Sequence, residues 1–425
     1  MRRIEIEHLC RVEGFGGVYV ELDGDQIREV RVNVMEGPRM FEAVVLGRRF
    51  DEIPPIVTRI CAICSAIHCV TSTMAVENAL GVQVTEQTRL LRELLVHGGN
   101  IESHALHIFC LALPDFLGYN SVIEMAADHP DAVAKALRLK KLGNTIQERI
   151  GGRMVHQTNV ALGGFGRLPD EDELRELRGL LEKGLVEAME MMELLSTVQV
   201  PDYPTSPTLY AALEPEDGFG YFGDKIALST GERFDVSDYK AVCDERVVPY
   251  SHAKHSRFNG RPFMVGSLAR VMINGDKLTG KAREAMEMFG LDKPCENILM
   301  NNLAQGVELV QSIERSLEIV DNFLKDGIRD EEPVPVEPKS GKGTAAGEAP
   351  RGTLYHSYEF DENGRAVSAD IITPTAQNYA NMEKDVRALL ERIKGESDEE
   401  IKFKINMVIR AYDPCISCSV HLVRI

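Results

Sequence analysis

The sequence predicts a mainly helical α+β fold, a core bundle of long helices with small β-meanders, in which both chain ends converge on one buried metal site. Three observations carry this. Apolar residues recur at helical spacing over four long segments, apolar and polar residues alternate in two short regions, and a Cys-x-x-Cys pair stands near each end of the chain. The 425 residues are 44% apolar and 27% charged, which supports a sizeable core and is too ordinary for disorder. A single domain over 1–425 is expected. Its parts are 1–80 with the first meander and first cysteine pair, 85–330 as the helical bundle with an inserted segment at about 200–260, and 348–425 with the second meander and the C-terminal pair.

In chain order, residues 4–35 alternate around Gly14, Gly16, Gly17 and the turn Asp23-Gly24, the pattern of a short antiparallel meander. Segments 85–113, 128–149, 170–195 and 303–324 follow the helical period, and Pro169-Asp170 offers a cap for the third. Residues 331–347 are rich in Pro, Gly and charge and read as a loop. Alternation returns over 353–372, with a turn at Asn363-Gly364. The acidic run 395–400 reads as a solvated loop.

Charge narrows the function. With 48 Lys and Arg against 66 Asp and Glu the net charge is −18, which repels phosphate backbones and acidic headgroups, so nucleic acid is excluded as a first partner. No run approaches the roughly 18 apolar residues that a direct membrane span takes. Arg2-Arg3 is followed by charged residues instead of an apolar stretch, so no export signal is read and a cytoplasmic location is expected.

The nine cysteines form an odd set, and four fall into the pairs Cys61/Cys64 and Cys415/Cys418. Each pair has a histidine close behind it, His68 and His421. A Cys-x-x-Cys on a turn entering a helix aims both sulfurs at one point, and two such points meeting give a four-thiolate site. A zinc-stapled structural subunit is the plain reading of such pairs. Zinc knuckles, however, draw their ligands from nearby sequence, and these pairs are separated by almost the whole chain.

The two cysteine blocks, Arg59-Ile-Cys61-Ala-Ile-Cys64 and Asp413-Pro-Cys415-Ile-Ser-Cys418-Ser-Val-His421, resemble the signatures of the large, catalytic subunit of nickel-iron hydrogenases. Further blocks extend the resemblance: Arg11-Val-Glu13-Gly14, Met40-Phe-Glu42, Gly151-Gly-Arg-Met-Val-His156 followed by Gly163-Gly164, Glu348-Ala-Pro350-Arg351-Gly352 and Thr373-Pro374-Thr375. The resemblance implies a role for each of these residues. Cys61 and Cys415 are terminal nickel thiolates, and Cys64 and Cys418 bridge nickel to an iron carrying carbonyl and cyanide. Glu13 accepts a proton from Cys415 after heterolytic cleavage of dihydrogen. Arg351, preceded by Pro350, is a guanidinium above the open position, Thr375 hydrogen-bonds an iron-bound cyanide, His68 donates toward Cys418, and Asp413 is an acidic neighbour. Glu42, the carbonyl of Ile371 and His421 are ligands of a Mg2+ ion.

The chain departs from the family's pattern at Ser103, where many relatives carry aspartate, and at Phe15, where many carry histidine. The quinone-site subunit of respiratory complex I shares the fold but lacks the paired cysteines. No further cluster-binding set is visible. The implied partners are therefore a small subunit with iron-sulfur clusters (the iron-sulfur hydrogenase small subunit) together with further flavin and iron-sulfur subunits, passing electrons to a soluble acceptor such as NAD(P), ferredoxin, deazaflavin or a heterodisulfide. The block at 348–358 most resembles the cytoplasmic, multimeric branch.

Overall fold

The structure, a computed structural model, describes residues 1–203 and 207–420. The four long helical segments are the Glu86–Leu106, Pro130–Gly151, Glu171–Ser196 and Asn301–Asp326 helices. Their starts follow from sequence: Thr85 Oγ1 accepts from the Thr88 N–H, and Asp170 forms a reciprocal capping box with Glu173. Beyond Leu106 the first helix widens into a π-turn, His107–Ala112, before a last helical turn, Leu113–Leu117.

Both meanders form. Arg2–Ile6, Gly16–Asp23 and Gln26–Val34 make one antiparallel sheet, with Ile6 opposite Val18 and Val18 opposite Val32. In the second, Gly352–Phe360 pairs with Ala366–Ile372 on one side and with Gly341–Ala349 on the other. That last strand corrects the loop reading of 331–347, whose second half is sheet. Its composition hides it for a steric reason: the strand lies so close to the Ser65–Leu80 helix that a Cβ on Gly343 would stand 2.2 Å from the Ala79 nitrogen. Low β-propensity is what this contact requires.

The Ser65–Leu80 helix has no helical stripe because it is buried on nearly every side, so its sequence lacks the period that marks its neighbours. The reading of 395–400 as a solvated loop holds for 395–397 and is corrected for 398–400, which stay exposed but are helical. Ser397 caps the Asp398–Ala411 helix in a box with Glu400, and the acids fill its first turn, where they meet the positive end of the helix dipole. Within 200–260, the strands Ala211–Glu214, Lys225–Leu228 and Arg233–Asp235 form a small sheet. Its apolar cluster, with Leu213, Ile226 and Leu228, takes in Tyr355 and Ile372 of the second meander.

The chain ends meet. The Ile416 N–H donates to the Glu13 carbonyl at 3.0 Å, Glu13 and Cys415 form a parallel bridge, and Asp115 pairs with both Arg11 and Arg410. Among the described residues no single helix is long and apolar enough to cross a membrane.

Candidate metal centre

Each cysteine pair is placed by a break in regular structure. Cys61 is extended after the Thr58–Ile60 turn, Cys64 immediately precedes the Ser65–Leu80 helix, and Cys415 and Cys418 flank or enter the Ser417–Ser419 turn. The four buried sulfurs all lie within 4.8 Å of one another. Cys61 and Cys415 are 3.4 Å apart, as are Cys64 and Cys418, while Cys415 and Cys418 approach to 2.6 Å. Burial raises all four thiols. Hydrogen bonds among the sulfurs nevertheless bring Cys61 and Cys415 below the usual thiol range, helped at Cys61 by Arg351, while Cys64 and Cys418 stay above it. Deprotonating all four at this spacing is unfavourable without a cation among them, so the donor set fits soft metal ions.

Glu13 reaches this cluster from the N-terminal segment. Its Oε2 accepts from Cys415 Sγ and from the Ser417 N–H, both at 3.1 Å, and its Oε1 accepts from the Ser417 hydroxyl. Burial, then the charge of Cys415, pushes its carboxyl from 4.5 up to about 7. Gly14 must be glycine here. Its φ is +87°, and a Cβ would stand 2.7 Å from Ile416 Cβ and 2.9 Å from the Ser417 nitrogen.

Arg351 belongs to a second buried network beside the cluster. Its Nε donates to the Asp413 carbonyl at 2.8 Å and its Nη2 pairs with Asp413 Oδ1 at 3.0 Å; Asp413 offers both groups from a left-handed backbone, φ 50°. Gln305 Nε2 holds the other carboxylate oxygen at 3.0 Å. Burial opposes the charge of Arg351, but Asp413 and the sulfurs of Cys415, Cys61 and Cys64 outweigh it. Its Nη1 is buried with no hydrogen-bond partner among the described residues.

Thr375 Oγ1 accepts from the Cys415 N–H at 2.9 Å. The His68 ring makes its hydrogen bond through Nδ1, to His356 Nε2 at 3.1 Å, leaving Nε2 for any sulfur. His356 Nδ1 meets the Tyr358 hydroxyl at 2.6 Å, and that hydroxyl meets Ser72 Oγ at 3.0 Å. Burial lowers His68 to about 4, which keeps it neutral. Glu42 and Ile371 are neighbours, the Ile371 N–H donating to Glu42 Oε1 at 2.9 Å, and burial raises the Glu42 carboxyl against the pull of Lys254. His421 lies outside the described residues. His156 braces the first pair, its N–H donating to Ser65 Oγ at 3.2 Å.

Sequence reasoning missed Ser417, Gln305, Arg39 and Arg270. Ser417 is a spacer within the second cysteine pair, and Arg39 donates to the carbonyls of Ile60, just before the first pair, and of Ser417, inside the second. Arg270 is fully buried between Glu308 and Glu348, and it donates to the carbonyls of Ala349 and Pro350, each at 3.0 Å, fixing the backbone that presents Arg351. Glu308 is held at about 2 because Arg270 and His104 outweigh its burial. Glu308→Gln therefore leaves a buried guanidinium short of charge, and a loss of about 3–5 kcal/mol is expected in denaturant unfolding. A loss below about 1 kcal/mol would show that Glu348 suffices.

The sequence model described as nickel-dependent hydrogenase matches residues 39–149 and 221–421. The chain belongs to the nickel-dependent hydrogenase family. It is 43% identical to the alpha subunit of sulfhydrogenase 1 from Pyrococcus furiosus over 426 residues, covering 99% of this chain and 98% of that one. The alpha subunit of sulfhydrogenase 2 from the same organism is 39% identical, covering 99% and 100%. Among solved structures, the NAD+-reducing [NiFe]-hydrogenase in the H2-reduced state superposes with a TM-score of 0.90 at 26% identity, covering 99% and 100%. The Ni-Fe-Se hydrogenase of Desulfomicrobium baculatum, at 22% identity and a TM-score of 0.79, shares the fold. The four-cysteine cluster is the metal site of a nickel-iron hydrogenase catalytic subunit, an oxidoreductase that acts on dihydrogen.

Proposed function

We propose that this protein cleaves dihydrogen heterolytically, with Cys61 and Cys415 as terminal nickel thiolates and Cys64 and Cys418 as bridges to an iron carrying carbonyl and cyanide. The observation that carries this reading is the contact at 3.1 Å between Cys415 Sγ and Glu13 Oε2 at the edge of a four-sulfur cluster. When bound, the metal pair supplies the Lewis acidity and redox capacity that the H–H bond requires. The chain supplies the rest. Cys415 Sγ takes the proton and Glu13 Oε2 receives it, with Ser417 holding the carboxyl in place and its raised value matching a carrier near neutral pH. Arg351, immobilised by Asp413 and backed by Pro350, would offer Nη1 as a fixed donor to dihydrogen at the bound metal pair.

Thr375 orients Cys415 through the backbone while its own hydroxyl proton remains free to donate to a cyanide. His68 donates to Cys418 through Nε2; its Nδ1 then accepts from His356 Nε2–H, and the Tyr358 hydroxyl donates to His356 Nδ1. Glu42, the Ile371 carbonyl and His421 would hold Mg2+, a hard cation suited to carboxylate and carbonyl oxygens.

Electrons pass to a small subunit with iron-sulfur clusters, then through flavin and iron-sulfur subunits to a nicotinamide acceptor. The nicotinamide reading rests on the 0.90 superposition with the NAD+-reducing enzyme. A sulfur acceptor is the second reading, favoured by the names of the sulfhydrogenase relatives. A cytoplasmic location suits the free buried thiols Cys69, Cys110 and Cys243. Hydrogen-dependent reduction by the native complex decides the acceptor: NAD(P)H formation supports the first reading, and sulfide from polysulfide without NAD(P)H formation replaces it with the second.

A further inference from the structure

Beside Cys64 lies a small pocket walled by Ile63, Ala66, Ile67, Val96 and Pro350, apolar except for Asn100. Asn100 is 0% exposed, and neither its Nδ2 nor its Oδ1 has a hydrogen-bond partner among the described residues. Leaving a buried primary amide unpaired is costly, because the desolvation of both its polar ends is not repaid. A group kept in that state beside a functional cysteine therefore points to a partner that is not part of the chain. The placement is independent of the amide chemistry. Asn100 and His104 share one face of the Glu86–Leu106 helix, and Pro350, opposite, directly precedes Arg351, whose Nη1 is likewise unpaired.

We propose that the Asn100 amide donates a hydrogen bond through Nδ2 to a cyanide on the iron, an assignment that rests on the metal-centre reading above. Cys64 is one of the two thiolates assigned to join nickel and iron, so a diatomic ligand on that iron would be the group from outside the chain beside this pocket. The apolar wall offers such a ligand no other hydrogen-bond partner. The single polar group then selects a ligand with a strong acceptor end: the nitrogen of an anionic cyanide accepts well, and a carbonyl oxygen accepts weakly. A neutral amide offers this donor without adding a second cation beside Arg351. Asn100 is in this sense a positioning and tuning residue, since a donor at the cyanide nitrogen draws electron density away from the iron.

Infrared spectra of the mature complex test this, taken with nickel and iron contents for the wild type, Asn100→Leu and Asn100→Gln. The expected result is a metal-loaded Asn100→Leu enzyme in which a cyanide band is displaced, with Asn100→Gln moving it back toward the wild-type position. Should Asn100→Leu fail to load metal, Asn100→Ala removes the amide without bulk and is read in the same way. Carbonyl and cyanide bands all at wild-type positions in a loaded variant lacking the amide would overturn the assignment. Absence of such bands from the metal-loaded wild type would overturn the metal-centre reading instead, so the two failures are distinguishable.

Discussion

Cys415→Ser is expected to abolish nickel loading and hydrogen turnover together. Cys415 joins several parts of the site: its Sγ is 3.4 Å from Cys61, 2.6 Å from Cys418 and 3.1 Å from Glu13, and its backbone N–H is held by Thr375. Serine preserves the shape but replaces a soft, readily ionised thiolate with a hard hydroxyl that stays protonated, a poor ligand for nickel and a poor proton relay. The remaining three sulfurs cannot complete the set. Metal analysis and hydrogen uptake on the purified variant check this. Full nickel with normal turnover would contradict the four-thiolate assignment.

Glu13→Gln should separate assembly from turnover. Glutamine is nearly isosteric: its carbonyl, placed at the Oε2 position, still accepts from the Ser417 N–H, and its amide N–H can donate to the Ser417 hydroxyl, so the bridge to the C-terminal segment and the metal content should persist. It cannot receive a proton. General acid–base groups contribute about 10²–10⁴-fold, and a fall of that order in turnover at unchanged nickel and iron is expected. Turnover within about 2-fold of wild type would remove Glu13 from the proton path, since that is far below the contribution of such a group.

Much of this was legible because the decisive signals are local. A Cys-x-x-Cys spacing survives in the sequence wherever the fold carries it, so both halves of the cluster could be read although their members are separated by 354 positions. The four long helices announced themselves by amphipathic period, and the cap at Asp170 by its chemistry. Elements went unseen where tertiary context erased the pattern. Ser65–Leu80 is buried all round, Gly341–Ala349 is thinned to glycine and alanine by contact with that helix, and the acids of 395–400 serve a helix start. Site residues were missed for the same reason. Arg270 is 78 residues from Glu348, Gln305 is 108 from Asp413, and Asn100 has no hydrogen-bond partner among the described residues to mark it. Ser417 alone had a local signal, its place between two ligand cysteines.

The central claim is that the sulfurs of Cys61, Cys64, Cys415 and Cys418 hold a nickel-iron pair. Quantitative metal analysis of the purified mature complex, resolved to this chain, tests it most directly. Equimolar nickel and iron on this chain, without stoichiometric zinc, is the predicted result; stoichiometric zinc with no nickel would contradict it.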